Sequence, residues 1–136
     1  MNDIGLTHIA LPVRSLDATI AFYARYAAMQ VVHRRPGVIW LSDKTRPFVM
    51  VFFEVEDAII PLAQYAHLGA GVASRAEVDR LCDQAQAEGC LETAPNDAGA
   101  PVGYWAILRD PDGHRLELAF GQEVGLTLEH SDTTAQ

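Results

Sequence analysis

One strand-like segment, one helix-like segment and three further strand-like segments occur in the same order twice along the chain, and this repetition limits the possible folds more than any other feature. In the first half, "LTHIALPV" alternates apolar and small residues like a strand. "SLDATIAFYARYAAM" follows, with Ser15 placed to cap a helix and Leu16, Ile20, Phe22, Tyr23 and Tyr26 at near-helical spacing. "QVVHRR", "GVIWLSD" and "RPFVMVFFEVE" are β-rich segments separated by Pro36–Gly37 and Asp43–Lys44. In the second half, "YAHLGAGV" is the strand and "SRAEVDRLCDQAQAEG" the helix, capped by Ser74 and stopped by Gly89. "LETA", "GYWAILRD" and "HRLELAFG" then close the repeat. The expected class is α+β, with two βαβββ modules over about residues 4–57 and 63–122 of one domain spanning 1–122, and a polar tail over 123–136. The stretch "APNDAGAPVG" is expected to be a mobile loop, and the tail to be frayed or docked peripherally.

With 136 residues, 49% hydrophobic and 21% charged, the chain can bury one ordinary core. A formal net charge of −8 argues against a nucleic-acid partner, which requires a basic footprint. No apolar run is long enough to span a bilayer, and "MNDIGLTHIA" lacks the basic and apolar regions of a secretion signal, so a cytoplasmic protein is expected. Cys82 and Cys90 are expected to be reduced thiols, since two cysteines in and just after a helix build neither a disulfide framework nor a zinc knuckle.

His8 and His67 fall on the opening strands of the two modules, and Glu117 lies on the last strand between Leu116 and Leu118. A carboxylate inside an apolar strand needs compensation. Two imidazoles and a carboxylate form a donor set suited to a divalent transition metal with open coordination positions. The alternative is that both histidines are ordinary core or rim residues and that Glu117 faces solvent on a one-sided sheet.

"LTHIALPV", "YAHLGAGV" and "DPDGHRLEL" resemble the signature segments of the vicinal oxygen chelate superfamily, over about residues 4–121. That group includes glyoxalase I, fosfomycin-resistance thiol transferases, methylmalonyl-CoA epimerases, extradiol dioxygenases and bleomycin-binding proteins. The resemblance implies a cupped mixed sheet built from two βαβββ modules. It also implies one divalent ion per site (Fe, Mn, Ni or Zn), held by His8, His67 and Glu117. By the same resemblance the assembly is a homodimer in which His8 of one chain faces His67 and Glu117 of the other.

Several departures from the family patterns bear on the reaction. Where glyoxalase I and the epimerases carry a fourth ligand, a Glu or Gln, this chain has Val51, with Val49 on the same face. Valine moves no proton, and Glu54 could take the position only through a register slip of odd length. Ile107 stands where the extradiol enzymes have a Tyr, and no His lies between His67 and His114. Tyr65 matches the thiol transferases and is expected on the strand face of His67, as a candidate catalytic residue. Ala10, Ile107 and a loop without Lys or Ser do not match them.

Strand parity places Arg115, Ala119, Gly103, Trp105, Ile107, Val49 and Val51 around the pocket, with Tyr65 beside it. Arg34 and Arg35 could receive an anionic substrate tail, while His33, His114 and His130 are assigned no function. The expected protein is a metal-dependent lyase, isomerase or dioxygenase acting on a small oxygenated molecule. The rival is a non-catalytic protein of the bleomycin-resistance kind that sequesters a drug, using Trp40 and Trp105.

Overall fold

A computed structural model describes residues 2–134, apart from the side chains of Leu126 and of residues 132–134. The chain divides into two compact units: residues 1–61 with Asp110–Gly113, and Leu62–Arg109 with residues 114–136. Each is a four-stranded mixed sheet with one helix packed on it, as the repeated segments predict.

In the first unit the elements are β1 (His8–Val13), α1 (Leu16–Ala27), β2 (Gln30–Arg35), β3 (Val38–Ser42) and β4 (Val49–Glu54). The sheet order is β1-β4-β3-β2, with β1 parallel to β4 and the other pairs antiparallel. Ser15 has extended backbone and its hydroxyl accepts from the Ala18 N–H, which satisfies one free donor of the first helical turn. Thr19, Phe22, Tyr23 and Tyr26 form the buried stripe of α1. They meet the face made by Leu11, Val13, Ile39, Leu41, Met50 and Phe52, where the rings of Tyr23 and Phe52 lie 5.1 Å apart. The Tyr23 hydroxyl donates to Asp110 Oδ2 at 2.8 Å, and burial next to Asp110 pushes this phenol well above the ordinary tyrosine range.

The second unit repeats the plan with β5 (Leu68–Gly71), α2 (Arg75–Glu88), β6 (Leu91–Asp97), β7 (Tyr104–Arg109) and β8 (Arg115–Phe120), in the order β5-β8-β7-β6. Ser74 caps α2 by accepting from the Glu77 N–H. Val78, Leu81, Cys82 and Ala85 bury against the face carrying Ala106, Leu108, Leu116 and Leu118. Gly103 is fixed by close approach: its φ is +84°, and a Cβ there would lie 2.4 Å from the Phe120 carbonyl oxygen.

Three local expectations are corrected. The strand read as "LETA" runs on to Asp97, because β6 is an edge strand and Pro95 falls where its register with β7 shifts, a position that needs no ladder donor. The irregular stretch is therefore shorter than "APNDAGAPVG". Tyr65 lies in a turn before β5, not on the strand. The tail is helical, as α3 (Val124–Thr134).

Candidate metal centre

In the second unit, strand pairing sets the donors. β8 aligns Leu116 with Leu68 and Glu117 with Gly69, so Glu117 is turned away from the leucine face that α2 covers. Ile107 and Trp105, paired with Glu117 and Ala119, share its face, together with Arg115. Glu117 is 8% exposed, an unusual place for a carboxylate without compensation.

His67 immediately precedes β5, and its Nε2 lies 3.8 Å from Glu117 Oε2. The other ring nitrogen, Nδ1, is 2.8 Å from the Tyr65 carbonyl oxygen, which can only accept. Nδ1 therefore carries a proton, which leaves Nε2, on the side of the carboxylate, as the ring nitrogen that could bind a metal. Metal–nitrogen and metal–oxygen bonds near 2.1 Å let two donors of one ion lie up to about 4.2 Å apart, so the observed separation suits a shared cation. Gly69 lies alongside: a Cβ there would make ordinary contacts, 3.5 Å from Glu117 Oε2 and 3.9 Å from Gln122 Oε1. Gln122 was not identified from sequence, and its amide oxygen borders the same space.

In the first unit, His8 is exposed on β1, with Nδ1 2.9 Å from the Thr7 hydroxyl oxygen. Its Nδ1 is engaged, as in His67. His8 pairs with Val49 and Ala10 with Val51, so both valines share the His8 face, as strand parity predicts. Glu54 lies on the opposite face, where its carboxylate accepts from the Leu16 N–H at the start of α1. That bond occupies Glu54 at a helix N-terminus, where a negative charge is favoured.

Tyr65 is 95% exposed, and it contacts His67 through its carbonyl oxygen. His114 is fully buried and accepts the Leu62 N–H at Nδ1, which ties down the segment entering the second unit. Arg35 pairs with Val38 in the β2–β3 ladder and Arg34 with Ile39, so the two arginines point to opposite faces. Arg35 Nε donates to His33 Nε2 at 3.3 Å, and the His33 ring meets Trp40 edge-on at 4.8 Å. Among the described residues, no three His, Cys, Asp or Glu side chains of a single chain converge as a metal site.

The sequence matches the family model of the Glyoxalase/Bleomycin resistance protein/Dioxygenase superfamily over residues 5–118. It is 42% identical to the uncharacterized protein PA2024 of Pseudomonas aeruginosa, over 88% of this chain and 91% of that one. It is 25% identical to a probable lactoylglutathione lyase of Vibrio cholerae, over 95% and 99% of the two chains. The fosfomycin resistance protein FosX of Listeria monocytogenes, solved with Mn(II) and sulfate, superposes with a TM-score of 0.71 at 22% identity, covering 93% of this chain and 97% of that one.

Proposed function

Because the chain belongs to the Glyoxalase/Bleomycin resistance protein/Dioxygenase superfamily, we propose that it is a metal-dependent enzyme that holds adjacent oxygens of a small substrate on a divalent ion. The observation carrying this reading is the His67–Glu117 pair: two donor atoms 3.8 Å apart, with the imidazole oriented by its Nδ1 contact to the Tyr65 carbonyl so that Nε2 faces the carboxylate. His67 through Nε2, Glu117 through Oε2 and His8 are the residues that would hold the ion, of the Fe, Mn, Ni or Zn kind. When bound, such an ion supplies Lewis acidity toward a developing enolate or oxyanion. The exposure of Tyr65, and of His67 beside a buried carboxylate, supports a homodimer in which a second copy supplies His8 to this site. The relatives named as lactoylglutathione lyases and the Mn(II)-bound FosX are consistent with this chemistry. Among the described residues no helix is long and apolar enough to cross a membrane, and we place the enzyme in the cytoplasm.

Trp105 and Ile107 beside Glu117, and Val51 on the His8 face that a second copy would bring, would give the substrate apolar and aromatic walls, suited to an aromatic or short aliphatic oxygenated molecule. Val51 offers no base, so proton transfer between adjacent carbons needs a group from elsewhere, with Tyr65 the candidate. Glyoxalase-like lyase or isomerase chemistry is the leading reaction class, and ring-cleaving oxygen chemistry at open coordination positions the competing one.

Metal content should be measured on protein purified without chelator and on His67→Ala. We expect near-stoichiometric metal in the first and almost none in the second. Equal content would defeat the enzyme reading and favour sequestration of a small ligand. Anaerobic reconstitution with Fe, Mn, Ni or Zn, followed by hemithioacetals and by catechols, separates the reactions: turnover without oxygen selects the lyase or isomerase arm, oxygen uptake the other.

A further inference from the structure

Two residues before Glu117 on β8, and so on the same face, stands Arg115, whose side chain is only 18% exposed. Same-face neighbours along a strand are about 7 Å apart, within easy reach of an arginine side chain. A guanidinium and a carboxylate within about 4 Å attract strongly at the effective dielectric near a protein surface. Left to themselves, Arg115 and Glu117 would pair, and the carboxylate would be lost to a metal. They do not: among the described residues, the ion-pair neighbour of Glu117 is His67.

Arg115 is drawn instead to Glu92. Its Nε donates to Glu92 Oε2 at 2.6 Å, and Arg109 Nε lies 3.6 Å from Glu92 Oε1, so both oxygens of this half-buried carboxylate face guanidinium groups. Glu92 reaches this position through a bulge. The ladder pairs Leu91 with Leu108 and Thr93 with Ile107, so β6 spends two residues against one of β7, and Glu92 is the extra one.

We propose that Glu92 is a positioning residue for the metal centre: by engaging Arg115 from the bulge of β6, it holds that guanidinium off Glu117 and keeps the carboxylate open to a cation. The inference rests on the metal-binding reading above. It assigns Glu92 no contact with metal or substrate.

The test is calorimetric titration with Mn(II) of the metal-free full chain, as wild type, Glu92→Gln, Arg115→Gln and the double variant. Glu92→Gln keeps the side-chain volume but frees Arg115, and should weaken Mn(II) binding about tenfold, the size of effect typical of residues that orient metal ligands. Arg115→Gln alone should bind as tightly as wild type or more tightly. The double variant should return to within about threefold of wild type, since the Arg115 guanidinium is no longer there to compete. That rescue distinguishes positioning from a merely structural role. Wild-type affinity in a folded Glu92→Gln protein would overturn the proposal, as would weakened binding in Arg115→Gln or a double variant no better than Glu92→Gln. A wild-type protein that takes up no Mn(II) would instead remove the metal-binding reading itself, and this proposal with it.

Discussion

Aligned on their opening histidines, the two sheets match strand for strand, but three charged residues of one are valines in the other. Ala10, two residues after His8, pairs with Val51, while Gly69, two after His67, pairs with Glu117. The same register sets Val49 against Arg115. β2 carries a bulge between Val31 and His33, as β6 does between Leu91 and Thr93, so Val32 corresponds to Glu92. Val32, Val49 and Val51 in the first unit thus stand where Glu92, Arg115 and Glu117 stand in the second. The helices follow the same rule: Thr19, Phe22, Tyr23 and Tyr26 of α1 occupy the offsets from the cap of Val78, Leu81, Cys82 and Ala85 of α2. One backbone plan therefore tolerates either an apolar or a charged set on the same positions, and the charged residues occur together. A lone carboxylate on a half-buried sheet face is costly, and a pair with a competing arginine is useless for metal binding. With Glu92 engaging Arg115, the carboxylate of Glu117 is left facing His67.

The largest expected effect comes from erasing the difference. Glu117→Val copies the first unit's residue into the second and should reduce metal affinity by on the order of 100-fold or more, since it removes a proposed ligand outright. Titration with Mn(II) and the circular dichroism spectrum check it together: retained fold with lost binding supports the comparison, and retained binding breaks it. The reverse exchange, Val51→Glu, places a carboxylate at a position 6% exposed on the His8 face. Without metal it should lower stability by roughly 2 kcal/mol, and added metal should restore the thermal midpoint more than it raises that of wild type. A variant indifferent to metal would show that the two faces do not serve one site.

Tyr23→Phe tests the helix side of the same correspondence. The phenol donates to the buried Asp110, while its counterpart Cys82 has no such role, so the loss should cost roughly 1–3 kcal/mol in denaturant unfolding against much less for Cys82→Ala. Equal effects would mean that the two helices are held by packing alone.

Much of this plan was legible in the sequence because period-two and helical alternation are local signals, and Ser15 and Ser74 mark both helix starts. Strand parity correctly grouped Glu117 with Arg115, Ala119, Trp105 and Ile107, since a ladder has only two faces. The rest depends on facts that no single strand carries. Strand parity does not govern Tyr65, which lies in a turn before the strand that begins at Leu68 and is 95% exposed. Glu92 left no trace, because a bulge is a mismatch between two strands, and "LETA" alone does not reveal which residue is the extra one. Glu54, weighed as a substitute ligand, is fixed by a hydrogen bond to a helix start 38 residues away in sequence.

The smallest expected effect lies in the pH dependence of the second helix. Burial, with help from Asp79 and Asp83, pushes the Cys82 thiol up to about 11 from its ordinary 9.0. A group whose folded pKa is raised binds its proton more tightly when folded. Its contribution to stability is therefore fully present below pH 9 and is lost as pH rises toward 11, because the unfolded chain gains by ionising first. Unfolding midpoints of wild type and Cys82→Ala, measured from pH 8 upward, should run parallel below 9.0 and converge above it. Tyr23, at the equivalent place in α1, is raised as well and adds a second loss above pH 10, its ordinary value, which Tyr23→Phe should remove independently. Two separable slopes would confirm that the helices bury corresponding positions with different chemistry; a single slope untouched by either substitution would refute it.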